Sequence, residues 1–216
     1  MPLIEQAAEP TRAAQARKPA RLIRAFAFLW MACSILFGSL LMSYHQPFRA
    51  PLGSGILALA PLSPTADPHN PQWRAIHILS GSCACSQRVM AHLAERGPVP
   101  GITEQILLID ITDGPDLYLP GSRSLIARLQ RSGFTVHHLR SSDIPPTTGL
   151  RGVPLLLFAN PEGRVAYLGG YGPRGDQDTI LLADLRSGSS AAPLPVLGCA
   201  IGAHLRRTLD PLHLKY

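Results

Sequence analysis

The sequence predicts an α/β domain, a mixed sheet with helices, behind one N-terminal membrane-spanning helix. Three observations carry that expectation. Two uninterrupted apolar runs, Ile106–Ile109 and Leu155–Phe158, have the length of strands but not the alternation of a half-exposed strand, so both of their faces need cover, as in the interior of a parallel or mixed sheet. Around them apolar residues recur at helical spacing, at Val89, Met90 and Leu93 and again at Leu125, Ile126 and Leu129. Finally, Ala25 to Met42 is 18 residues without a charge, close to the length of helix that crosses a bilayer core.

Composition narrows the function classes. A chain of 216 residues with 46% apolar content holds one domain plus extensions. Four cysteines are too few for a disulfide-stapled miniprotein. Half of the net charge of +6 lies in residues 1–24, where Arg12, Arg17, Lys18, Arg21 and Arg24 outweigh Glu5 and Glu9. No basic cluster is interleaved with aromatics, so nucleic acid is not expected as a partner. No glycine-rich loop runs into Lys-Ser or Lys-Thr, which argues against a phosphate-binding loop.

Residues 1–24 read as a basic cytoplasmic tail and 25–42 as a single transmembrane helix, oriented by the arginines on its N-terminal side. This places the remainder in the periplasm, anchored to a cell inner membrane. A cleaved signal peptide is the competing reading; its one formal cleavage match, Ala58-Leu-Ala60, lies well beyond the apolar run. Cys33 reads as a small apolar residue of the span. Residues 43–72 contain Pro47, Pro51, Pro61, Pro64, Pro68 and Pro71 and read as a semi-extended linker. The folded domain is expected over 73–216, with a C-terminal extension from about 187.

Within it, Arg74–Leu79 reads as a strand and Ser80-Gly81-Ser82 as a break. A helix follows from about Cys85 to Arg96, ended by Gly97-Pro98. After the strand at Ile106–Ile109 come a helix over Ser122–Ser132, a short strand over Phe134–Leu139 and a loop with Pro145-Pro146. Leu155–Phe158 and Arg164–Leu168 form a hairpin about Asn160-Pro161-Glu162-Gly163. Gly169, Gly170 and Gly172 loosen its exit, Asp176–Leu185 is a helix, Ser187–Pro195 is a flexible spacer, and the tail ends in one further helix. The pair His137-His138 would point to opposite faces of its strand, and Asp110 and Asp113 read as shaping a turn. Tyr167 and Tyr171 read as ordinary, partly buried aromatics.

Chemistry concentrates in two stretches. The first is Trp73-Arg-Ala-Ile-His-Ile-Leu-Ser-Gly-Ser-Cys-Ala-Cys-Ser-Gln-Arg, with Cys83 and Cys85 where a strand gives way to a helix. The second, about seventy residues on, is Gly149-Leu-Arg-Gly-Val-Pro-Leu-Leu-Leu-Phe. Thiols at a helix N-terminus are stabilised as thiolates by unpaired N–H groups and the positive end of the helix dipole. Together these stretches resemble the thioredoxin superfamily over about residues 73–186, with one departure: the cysteines are separated by one residue rather than two, a Cys-x-Cys variant. The resemblance implies a thioredoxin-like fold and a membrane-anchored thiol–disulfide oxidoreductase or isomerase acting on exported proteins. It implies that Pro154 is cis and faces the cysteines, and that the backbone of Val153 binds a substrate peptide. Cys83, nearer the loop and expected to be the more exposed of the two, is read as the nucleophile and Cys85, nearer the helix, as the resolving thiol, and His77 stands where the family keeps a buried proton acceptor. A strand histidine without a role is the alternative for His77.

A Cys83–Cys85 bridge would close a very small ring, and strained disulfides are oxidising. Cys199, in the tail, is a second possible partner for either thiol, as a resolving or as a structural cysteine. No organic cofactor is implied. Two other functions compete: a copper metallochaperone holding Cu(I) on the thiolates with help from His77, His92, His137, His138 or His204, and a non-catalytic binding domain with a structural disulfide.

Overall fold

The computed structural model of the chain describes residues 17–43, 47–49, 72–111 and 118–210. The first part of the basic tail, most of the proline-rich stretch with Ala58-Leu-Ala60, and Asp113 lie outside the described residues. The chain divides into two compact units, Met1–Tyr44 and His45–Tyr216.

The first unit is helix α1, Arg17–Ser43. Its stretch Arg21–Leu40 is long and apolar enough to cross a membrane. Phe26, Trp30 and Phe37 are exposed along it, as is Cys33.

The second unit is built on a five-stranded sheet. In chain order its elements are β1 (Trp73–Leu79), α2 (Ala84–Arg96), β2 (Ile102–Asp110), α3 (Ser122–Arg131), β3 (Thr135–Arg140), β4 (Gly152–Val153), β5 (Leu155–Ala159), β6 (Val165–Gly169), α4 (Asp178–Arg186), β7 (Cys199–Ala200) and α5 (Ala203–Leu209). The sheet order is β3-β2-β1-β5-β6. Strands β1, β2 and β3 are parallel, while β5 and β6 run antiparallel to their neighbours. A βαβ half joined to an antiparallel hairpin and a closing helix is the thioredoxin-like architecture expected from the sequence. β2 begins four residues earlier than its apolar run because Ile102 and Glu104 also face inward.

The alternation of side chains along the strands divides the core in two. Ala75, Leu79, Ile106, Leu108, Leu156 and Phe158 face one way, against Val89, Met90 and Leu93 of α2, Ile126 and Leu129 of α3, and Leu181, Leu182 and Leu185 of α4. The crossovers β1-α2-β2 and β2-α3-β3 step in the same direction along the sheet. Parallel crossovers have one hand, so both helices fall on the same face. On the opposite face Ile76, Ile78, Leu107, Ile109, Leu155 and Leu157 lie under non-helical cover: the crossing segment with Ile144 and Leu150, then Val153, and finally Phe48, Val196 and Ile201.

That cover revises the reading of the tail. Residues 194–201 are held along their length by the backbone. Gly170 N–H donates to the Leu194 carbonyl at 2.8 Å, and Phe48 and Val196 exchange both backbone bonds at 2.9 Å. Gly152 and Val153 pair with Ala200 and Cys199, and Ile201 N–H donates to the Arg151 carbonyl at 2.8 Å. Val196, Ala200 and Ile201 are buried. Phe48, inside the stretch read as linker, therefore has a strand partner, and the tail adds a strand to the domain before its helix. Glycines expected to loosen the β6 exit instead permit close approach. A Cβ on Gly170 would sit 2.1 Å from the Pro195 carbonyl oxygen.

Candidate active site

Cys83 occupies the N-cap of α2, with extended backbone (φ −117°, ψ 118°) and no side-chain cap. The loop that delivers it is fixed from both sides. Cys83 N–H donates to the Ser80 carbonyl at 3.3 Å, and Ser80 Oγ accepts from Ser82 N–H at 3.3 Å. The Gly81 carbonyl accepts from Leu119 N–H at 2.9 Å and from Ser122 Oγ at 2.7 Å. Gly81 has no room for a side chain, since a Cβ there would come within 2.8 Å of the Tyr118 ring. The helix then starts at once: the Cys83 carbonyl accepts the first helical bond from Gln87 N–H at 2.9 Å.

Cys85, in the first turn of α2, is half-buried beside the same apolar cluster as Cys83. Val153–Pro154 is a cis peptide bond, and Cys83 Sγ lies 3.7 Å from the Val153 carbonyl oxygen. The third thiol arrives from the tail, because the β4–β7 pairing places Cys199 directly opposite Val153. Cys83, Cys85 and Cys199 thus meet beside Pro154, none of the three joined in a disulfide. Val153 is fully buried, and its strand edge is taken by β7.

The electrostatics favour a thiolate at Cys83. Its pKa falls well below the ordinary thiol value, first through hydrogen bonding from the Cys199 side chain and then from Cys85. Burial works in the opposite sense, and the backbone N–H and hydroxyl of Ser86 add to the lowering. Ser86 Oγ is buried and has no hydrogen-bond partner within normal geometry, so its proton is available to a sulfur that becomes charged. Ser86 carried no signal in the sequence beyond its place in the first helical turn, three residues after Cys83.

His77 lies in a different environment. It sits on the helix-covered face, with its Nδ1 2.5 Å from Tyr171 Oη and its Nε2 3.8 Å from Glu104 Oε2. Burial raises the Tyr171 pKa far above its usual value, so Tyr171 keeps its proton. Arg96 bridges Glu104 (3.0 and 3.1 Å) to Asp178 (2.6 Å), and His92 Nε2 reaches Asp178 at 2.8 Å. His77 therefore lies beside a buried ionic network that ties α2 to β2 and α4, its Nδ1 bonded to Tyr171 and its Nε2 buried 3.8 Å from Glu104 without a hydrogen-bond partner. His92 is engaged by Asp178. Among the described residues no group of three or more His, Cys, Asp and Glu side chains is disposed to hold a metal ion.

Neither a protein-family model nor a curated protein matches the chain. Similar solved structures include an uncharacterized conserved protein from Geobacillus kaustophilus, at 14% identity and a TM-score of 0.48 over 73% of this chain and 90% of that one. A hypothetical protein from Sinorhizobium meliloti is similar at 16% identity and a TM-score of 0.45, covering 61% and 80%. A thiol:disulfide interchange protein from Bacteroides sp. is similar at 14% identity and a TM-score of 0.38, covering 64% and 88%. The fold assignment rests on the strand order and the cis-proline turn, independently of these likenesses.

Proposed function

We propose that the protein is a membrane-anchored thiol–disulfide oxidoreductase or isomerase of exported proteins, with Cys83 as its attacking sulfur. One observation carries this reading: three thiols converge on the turn at Pro154, one of them at a helix N-terminus that stabilises its thiolate. A Cys83 thiolate attacks a client disulfide, forming a Cys83–client bond and releasing one client thiolate. A second thiol of the cluster, deprotonated, then attacks Cys83 Sγ. The mixed disulfide breaks, the second client thiolate leaves, and the two electrons lost by the pair of cysteines have reduced the client. Run backwards, the same steps oxidise a client dithiol. Stabilising the thiolate stabilises the reduced protein, which favours the oxidising direction.

The helix Arg21–Leu40 supports the anchor, and the positive charge on its N-terminal side supports a periplasmic domain. Labelling intact cells with a membrane-impermeant maleimide checks that orientation; modification of Cys199 or Cys85 only after lysis would refute it.

The enzymatic reading is tested on the full chain in detergent by exchange with oxidised glutathione. Cys83→Ser is expected to lower the rate at least 100-fold and Cys85→Ser by less. Wild-type turnover in Cys83→Ser would overturn the proposal. Copper retained stoichiometrically by the reduced protein against a chelator would favour the metallochaperone instead.

A further inference from the structure

The backbone edge that would receive a client is already filled, and the segment filling it carries a cysteine. We propose that β7 is a tethered stand-in for the client: the tail occupies the peptide-binding edge of β4, and the segments that compete with it are extended polypeptides with glycine immediately before their reactive cysteine. The inference rests on the thiol-exchange reading of the same site and deepens it by naming the substrate class.

The geometry sets both parts. Strand β7 runs antiparallel to β4 with Cys199 opposite Val153, and the Val153 carbonyl oxygen is the atom 3.7 Å from Cys83 Sγ. A strand in this register therefore presents its cysteine to Cys83. The residue before that cysteine has no room for a side chain. A Cβ on Gly198 would lie 1.9 Å from the Val153 carbonyl oxygen and 2.8 Å from Pro154 Cδ. Both obstacles belong to the receiving groove, and real Cβ atoms do not approach so closely. Any strand docking in the same register and along the same backbone path meets the same restriction.

The fit of the tail also explains why Cys83 is fully buried in a site built for exchange. In the oxidised protein the expected bond is Cys83–Cys199. A client thiolate attacks Cys83 Sγ, the Cys83–Cys199 bond breaks, and Cys199 leaves as a thiolate. The freed strand gives up the β4 edge to the client. A second client thiolate attacks the client sulfur of the mixed disulfide and Cys83 leaves as a thiolate. The client loses two electrons and two protons and gains a disulfide; Cys83 and Cys199 end reduced. A protein disulfide or oxidised glutathione restores them.

Two measurements test this. In the first, wild-type protein equilibrated with oxidised glutathione is mapped by alkylation and mass spectrometry. A Cys83–Cys199 bond as the main product is expected; Cys83–Cys85 with Cys199 open to alkylation overturns the inference. In the second, fluorescent peptides copying residues 194–201, with serine in place of the cysteine, are titrated onto Gly198→Val protein, whose own strand is forced off the edge. The glycine-bearing peptide is expected to bind at least tenfold more tightly than one with alanine before the serine, and at least tenfold more tightly to the variant than to wild type. Equal affinity for the two peptides, or no binding by a folded variant that still exchanges with glutathione, overturns the inference while leaving the reading of function intact. Loss of the Cys83 dependence of exchange would instead remove that reading.

Discussion

The two faces of the central sheet are held in different ways. One is sealed by three helices and crossed by a buried ionic network, in which Arg96 joins Glu104 to Asp178. The other is closed by irregular chain and a tail strand, and it contains all the domain's cysteines. Many helical contacts must break together before the first face opens. Release of the second needs only a few backbone bonds, such as Ile201 to Arg151 and Val196 to Phe48, and the buried side chains of Val196, Ala200 and Ile201 to give way. On the proposed function, stability and reactivity are divided between the faces, the thiol-bearing one being the face that local opening can reach.

The sharpest test of this division is to break the network. Arg96→Ala leaves two carboxylates buried without their cation and is expected to lower unfolding stability by about 3–5 kcal/mol, measured by urea denaturation. Cys199→Ala in reduced protein should change the same midpoint by less than about 1 kcal/mol; a comparable loss from both would erase the contrast. Next, Leu93→Ala on the helical face is expected to cost about 2–5 kcal/mol through the cavity it leaves. It should also speed amide exchange throughout β1 and β2.

The pH dependence should come from the helical face. Burial opposes ionisation of Glu104 and Asp178, yet His77 and Arg96 hold Glu104, and Arg96 foremost holds Asp178, below the ordinary carboxylate range. Because both folded pKa values are depressed, their contribution is complete above the unfolded values. It drains away as pH falls through the folded ones. Asp178→Asn should flatten that acid limb of the stability curve; an unchanged limb would take the network out of the explanation. The smallest expected effect needs no substitution. Amides of Val196 and Ile201 should exchange at least about tenfold faster than those of β1, through opening of the tail alone, and equal protection would mean that the two faces open together.

The helical face was largely legible in the sequence, because amphipathic spacing at Val89, Met90 and Leu93 and the apolar run Ile106–Ile109 register burial directly. The cysteines and Pro154 were legible for a different reason: thiols at a strand–helix junction and a proline ahead of an apolar strand are local patterns. The partnership of Cys199 with Val153 was not. It joins segments far apart in sequence through a two-residue strand, too short to show periodicity. The glycines misled for a related reason. Gly169, Gly170 and Gly172 suggested a loose exit from β6, whereas Gly170 is small because the backbone of Pro195 lies against it. His77 was legible as a strand residue, but its neighbours Tyr171 and Glu104 were not, since they come from distant segments that the fold brings together.

The short bridge between Phe48 and Val196 has a practical outcome for anyone preparing a soluble fragment. Cutting at Trp73, where the first strand of the large sheet begins, would remove the aromatic ring that lies against Gly152 and strip Val196 of both its backbone bonds. A fragment starting before Pro47 keeps that clasp, and with it the strand that guards the sulfurs.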